Sequence, residues 1–200
     1  MKRSLSLLLL AGLAALPLAA QQHSAEIASG TLEVAVTYDA ARNGASNSFW
    51  LQGGSVQLES RFWRGLGGVA EVSGLHAGNM HGSGVGLDLV TATFGPRYTM
   101  QVHDLARSID ARRRIEFYGE ALGGIASGFN SVFPATSAAE DSETGSAMQF
   151  GGGLNYALSK RFSVRVLDLS WLRTTLPNGA DNVQNNLRLG AGLVWKLSRR

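Results

Sequence analysis

From Thr31 onward the chain alternates apolar and polar positions with a period of two. In Thr31 to Asp39, Leu32, Val34, Val36 and Tyr38 alternate with Thr31, Glu33, Ala35, Thr37 and Asp39. Successive side chains of a strand point to opposite faces, so this segment has one apolar and one polar face. Seven further segments read the same way. Phe49 to Phe62 sets Val56, Leu58 and Phe62 against Ser55, Gln57, Glu59 and Arg61, and Leu66 to His76 carries Glu71 and Ser73 on its polar face. Gly86 to Met100 opposes Leu87, Leu89, Thr91 and Thr93 to Asp88; Arg112 to Ser127 opposes Ile115, Phe117, Ala121 and Ile125 to Arg114, Glu116 and Glu120. Ala147 to Leu158, Phe162 to Arg173 and Asn186 to Leu197 complete the set. In Phe162 to Arg173 the alternation breaks, because Asp168 and Ser170 fall on the parity of Phe162, Val164 and Val166. A β-bulge near Leu167 would swap the faces and keep Asp168 with the other polar groups.

The connections alternate in length. With both termini on one side, the loops 40–48, 77–85, 128–146 and 174–184 lie at one end, whereas Arg64-Gly65 and Ser159-Lys160 are minimal turns at the other. His103 to Ala111 is the exception, a long connection on the short-turn side. Aromatic residues gather near the strand ends: Tyr38, Trp50 and Trp171 toward the long loops, and Trp63, Tyr98, Tyr118, Tyr156 and Trp195 toward the short turns. An apolar band bounded by two polar interfaces selects such paired aromatic girdles.

The N-terminus supplies a compartment. Lys2 and Arg3 precede an apolar run from Leu5 to Leu16, and Pro17-Leu18-Ala19-Ala20 offers small residues for cleavage after Ala20. This is the pattern of a secretory signal peptide, so residues 1–20 are expected to be removed and residues 21–200 to form one domain. A helical span needs about 20 apolar residues, and no later run approaches that length. A place in a membrane therefore requires a closed barrel, the other structure that satisfies every backbone group in lipid. Without Lys2 and Arg3 the chain has 16 basic against 15 acidic residues, which provides no basic surface for nucleic acid. Cysteine is absent, and 25 Gly against 4 Pro suits closely packed strands joined by turns. The expected fold is all-β: an eight-stranded antiparallel up-and-down transmembrane β-barrel, exported to the outer membrane.

Several segments carry a family resemblance. Phe94-Gly95-Pro96-Arg97-Tyr98, Gly119-Glu120-Ala121-Leu122-Gly123-Gly124, Phe150-Gly151-Gly152-Gly153-Leu154-Asn155, Arg165 with Asp168, and Asn185-Asn186-Leu187-Arg188 together resemble the small eight-stranded outer-membrane barrels, such as the transmembrane domain of outer-membrane protein A. Arg188, Gly190, Leu193 and Trp195 resemble the C-terminal insertion signal of such barrels, although Lys196 to Arg200 runs past the usual terminal aromatic. The resemblance implies outer-membrane lipids and lipopolysaccharide as surroundings, the barrel-assembly machinery as a partner during insertion, and a monomer. The peptidoglycan-binding module that larger members of that family carry is not expected here, a departure from them.

The chemistry-bearing residues divide into a lumen set and loop sets. Glu33, Glu59, Arg61, Glu71, Asp88, Arg114, Glu116, Glu120, Arg165, Asp168 and Arg188 sit on polar faces, and eight strands enclose an interior just wide enough for side chains to fill. They are expected to pair across that interior as a structural ion network, the alternative being a charge gate. His76 and His81 with Ser73, Ser83 and Glu71 could be drawn as a Ser/His/acid set, but nearness in sequence supplies neither a base at bonding distance nor an oxyanion site. His103-Asp104 lies on the short-turn side. Glu140, Asp141 and Glu143 lack the spacing of an organised Ca²⁺ loop, Arg112, Arg113 and Arg114 form a basic rim, and Gly151-Gly152-Gly153 is followed by no strand-to-helix turn that would cradle phosphate. The expectation is a non-enzymatic barrel without cofactor or metal, its polar lumen plugged, contributing to envelope structure or surface interaction through its loops. The alternatives are a narrow channel for small solutes, a lipid A-modifying enzyme and a soluble exported barrel.

Overall fold

A computed structural model describes residues 31–44, 49–79, 85–101, 115–133, 140–177 and 182–197, with Glu140 by its backbone alone. The strands are β1 (Leu32–Asn43), β2 (Trp50–Trp63), β3 (Leu66–Ala77), β4 (Leu87–Gln101), β5 (Ile115–Phe133), β6 (Glu140–Ala157), β7 (Phe162–Thr174) and β8 (Gln184–Leu197). Each pairs antiparallel with its neighbours in sequence, and β1 pairs with β8, so the sheet closes as one barrel. Closure removes both free edges. Residues 1–20, expected to be a signal peptide, lie outside the described residues.

Alternation places the apolar parity outside. Val36, Val56, Val72, Phe94, Ile125, Phe150, Leu169, Leu189 and Leu193 all project from the outer wall. Soluble proteins keep contiguous apolar patches small, whereas this band encircles the barrel. Even the shortest strands, of 12 residues, exceed the 9–11 or so that a tilted spanning strand requires. At the tightest connection Arg64 and Gly65 both have positive φ, 39° and 89°, the backbone of a two-residue hairpin with a primed turn. A Cβ on Gly65 would also strike the carbonyl oxygen of Thr99.

The break in β7 is a bulge. Asn155 pairs with Arg165 but Leu154 with Leu167, so Val166 is the extra residue. Val166 and Leu167 both face outward while Arg165 and Asp168 both stay inside.

Two features differ from expectation. The connection expected over 128–146 is shorter, because β5 runs to Phe133 and β6 begins at Glu140. Pairing resumes beyond a register shift between Phe129 and Phe133, with Asn130 at φ 53°, and the Ser127 and Thr144 hydroxyls bond across this extension. Asp141 and Glu143 therefore lie on a strand rather than in a loop. The second concerns the lumen, which is not polar throughout. Toward the long-loop end Ala41, Leu51, Leu75, Ala77, Leu87, Leu89, Ala126, Phe133, Ala147, Leu172 and Leu176 form one buried apolar cluster.

Candidate functional site

Below that apolar cap, the inward positions of all eight strands bring charged and amide side chains together in tiers. At the short-turn mouth Arg61 donates to Glu59 at 2.8 Å, to Glu33 at 3.0 Å and to Glu116 at 3.3 Å. Lys196 donates to Glu116 at 2.8 Å and stands 3.6 Å from Glu33. One tier higher, Arg97 donates to Glu120 at 2.9 Å, to Glu59 at 2.8 Å and to Gln57 at 2.6 Å. Arg165 donates to Asp168 at 3.0 Å, to Asn155 at 3.2 Å and to Gln57. The Tyr118 ring lies between these two arginines, 4.3 Å from the Arg97 guanidinium and 4.7 Å from that of Arg165, while its hydroxyl donates to Asp168 at 2.6 Å. Higher still, Arg188 clamps Glu71 with two bonds of 2.6 and 3.0 Å and donates to Ser170 at 3.0 Å.

Gln57 joins the tiers. Its carbonyl oxygen accepts from Arg97 and Arg165, and its amide donates to Glu71. Gln149 donates to both Glu71 and Glu120 at 3.3 Å. Arg97, Arg165 and Arg188 are each 1% exposed, so these guanidinium groups depend on protein partners instead of water. Asp39 stands apart: it is fully buried, and neither carboxylate oxygen has a hydrogen-bond partner. Its side chain lies against Gly190, where a Cβ would meet Asp39 Oδ1.

Of the residues expected in the lumen, Glu33, Glu59, Arg61, Glu71, Glu116, Glu120, Arg165, Asp168 and Arg188 converge there. Arg114 lies outside the described residues. Asp88 is a correction, since it sits on the outer face at the long-loop rim, where it accepts from His76 and Asn130. Its neighbours Leu87 and Leu89 take the inward positions in the apolar cap, which forces Asp88 to the other parity. At this polar rim the hydrogen bonds from His76 and Asn130 hold the Asp88 carboxyl below the usual carboxylate range. The same inversion puts Arg97, Thr91 and Thr93 inside. Tyr118, expected at the short-turn girdle, is inside as well, on the parity of Glu116 and Glu120. Gln57, Gln149 and Tyr118 carry no formal charge and so do not stand out in a list of charges. Only their parity with Glu59, Gly151 and Glu120 signals them.

The aromatics Tyr38, Trp50, Trp63, Tyr98, Trp171 and Trp195 are exposed on the outer wall, with Tyr156 half-buried there. Phe162 and Trp195 stack at 6.0 Å near the short-turn end, and Phe150 and Trp171 at 6.0 Å higher up. Of the insertion-signal residues, Arg188 and Gly190 face the lumen while Leu193 and Trp195 face outward. Ser73, His76 and Glu71 do not assemble. Ser73 bonds Thr91 at 2.6 Å inside the barrel and Glu71 is held by Arg188, whereas His76 faces out. His81, Ser83, His103, Asp104, Arg112 and Arg113 lie outside the described residues. Among the described residues no cluster of three His, Cys, Asp or Glu side chains could hold a metal ion.

No protein-family model and no curated protein matches the chain in sequence. Solved structures do match in fold. Neisserial surface protein A aligns with a TM-score of 0.63 at 13% identity, over 83% of this chain and 97% of its own. The N-terminal β-barrel domain of Pseudomonas aeruginosa OprF gives 0.46 at 14% identity, over 84% and 99%. The attachment invasion locus protein of Yersinia pestis gives 0.45 at 16% identity, over 83% and 97%. Closure by eight antiparallel strands, the apolar outer band and the first of these alignments agree: the chain has the fold of the small eight-stranded outer-membrane barrels and is a transmembrane β-barrel.

Proposed function

We propose that the protein is a monomeric, non-enzymatic barrel of the outer membrane with a plugged lumen, contributing to envelope structure or surface interaction through its long-loop end. On this reading residues 1–20 direct export and are removed, and residues 21–200 form the barrel. Arg188, Gly190, Leu193 and Trp195 are presented to the barrel-assembly machinery, and outer-membrane lipids and lipopolysaccharide surround the finished wall.

The observation that carries the reading is the two-part filling of the interior. Long paired side chains occupy the lower lumen, and a contiguous set of Leu, Ala and Phe side chains closes the upper lumen. An ion crossing that cap would leave water without gaining a partner, at a cost of several kcal/mol even after relaxation. With the interior filled, interaction with an external partner is assigned to the surface at the long-loop end. Planar-bilayer recording tests this directly, with no stable opening expected from the folded protein. A large steady conductance would overturn the plugged reading in favour of a channel, and a lipid A modification that His81→Ala abolishes would overturn the non-enzymatic one.

A further inference from the structure

The outer wall is not evenly covered. Over β3 it sinks into a groove of about 560 Å³ near the short-turn end. Its floor is made by the small outward residues Ser60, Gly68 and Ala70, and its walls by Leu58, Phe62 and Phe94. Register explains the depression: Leu58, Ala70 and Phe94 share one rung, and Ser60, Gly68 and Pro96 the next. Small side chains on β3 thus lie between large ones on β2 and β4. A Cβ on Gly68 would meet nothing within 4 Å, so the space above it is open. Phe94 is 72% exposed and Phe62 57%, so they stand up as rims rather than folding over the floor.

A second observation lies just beyond Phe62. The hairpin turn fixes Arg64 at φ 39°, and its guanidinium sits 5.8 Å from the centre of the exposed Trp63 ring. Among the described residues no carboxylate pairs with Arg64. Arg64 and Trp63 follow the lining residue Phe62 directly in the chain, on the turn side of the slot. An apolar slot with an exposed cation and an interfacial tryptophan on that side has the chemistry of an amphiphile: hydrocarbon in the slot, anion toward the turn. A second copy of the chain related by a two-fold axis would bring like surfaces together and set Arg64 near its own equivalent, so charge favours a lipid there.

We propose that this groove is a binding site for one phospholipid of the periplasmic leaflet. An acyl chain lies over Gly68 and Ala70, and the headgroup phosphate sits beside Arg64. The proposal rests on the membrane-spanning reading and on an orientation with the short turns in the periplasm.

The full-length barrel, purified in mild detergent and incubated with dioleoyl phosphatidylglycerol or dioleoyl phosphatidylethanolamine, would be weighed intact by native mass spectrometry. One retained phospholipid per barrel is expected. Gly68→Leu, which fills the slot from an open position, should lower retention of both lipids at least tenfold. Arg64→Gln should weaken phosphatidylglycerol several-fold and leave the dependence on Gly68 intact. Equal retention by Gly68→Leu and the parent, no effect of Arg64→Gln, or a dimer that Gly68→Leu disperses would each overturn the site. All three proteins should insert into vesicles and migrate faster on a gel unboiled than boiled. Failure of the parent protein in that control would overturn the membrane-spanning reading itself, a result distinct from loss of the lipid alone.

Discussion

Arg188→Met would remove the cation from the most enclosed ion pair in the lumen. Arg188 and Glu71 are 1% and 0% exposed and share two hydrogen bonds, so the variant strands a carboxylate away from water. Breaking a buried pair from one side costs about 3–5 kcal/mol. Glu71 still receives the amides of Gln57 and Gln149, and hydrogen bonds to a charged group contribute about 1.5–3 kcal/mol net each, which offsets part of that cost. The expected loss is therefore about 3 kcal/mol, the low end of that range. Adding Glu71→Met removes the stranded charge. It leaves the Gln57 amide without an acceptor, a cost of about 1–3 kcal/mol, while Gln149 keeps Glu120. Replacing a whole buried pair by apolar groups returns about 1–4 kcal/mol, so the double variant should fall close to the parent. Reversible urea unfolding in lipid vesicles, read by the folded band on unboiled gels, measures the parent, Arg188→Met, Glu71→Met and the double variant. A single variant within about 1 kcal/mol of the parent, or a double variant showing the sum of two single losses, would refute the buried-pair reasoning.

Two further substitutions test the wall and the lumen floor. Leu189→Arg puts a charge on the apolar outer face, where Leu189 is 51% exposed, and should destabilise folding into bilayers by about 2–4 kcal/mol; a neutral result would mean that β8 has the opposite parity. Gly190→Ala should cost about 1–3 kcal/mol by forcing its methyl against Asp39, with Asp39→Ser restoring most of the loss in the same unfolding assay. A Gly190→Ala barrel as stable as the parent would show that Asp39 does not occupy that space.

Legibility in the sequence followed the local strength of alternation. β1 and β8 keep one parity for their whole length, so Leu189 outside and Gly190 inside could be read directly. The bulge in β7 was legible for the same reason, since Asp168 on the apolar parity of Phe162 and Val164 demanded a swap. β4 misleads because Leu87 and Leu89 resemble a lipid-facing pair. Only closure of the barrel reveals that, besides Leu75 on the adjacent β3, they meet Leu51 and Leu172 from strands further round and form a cap. With that parity inverted, Asp88 falls on the expected lumen face and Arg97, although part of a family motif, falls outside the expected lumen set. Tyr118 was hidden by chemistry instead, because an aromatic near a strand end suits a girdle as well as a stack between two arginines. The extension of β5 and β6 beyond the expected loop boundary rests on cross-strand pairing, which single-strand periodicity does not encode.

The division of the lumen into a charged part and an apolar part also separates two ideas of how such a barrel could open. Arg61 and Lys196, with side chains 15% and 16% exposed, give the ion network contact with water at the short-turn mouth. Rearranging that network would widen only the lower chamber, because the Leu cap above it contains none of the charged partners. A path through the barrel has to displace Leu51, Leu87, Leu89 or Leu172, whose burial is held by the hydrophobic effect and close packing rather than by charge. Glu120→Ala or Arg165→Ala should then weaken the barrel without opening it, whereas shortening two facing cap leucines to Ala should be the change that admits ions. Conductance from Glu120→Ala with the cap intact would place the barrier in the ion network and reverse this assignment.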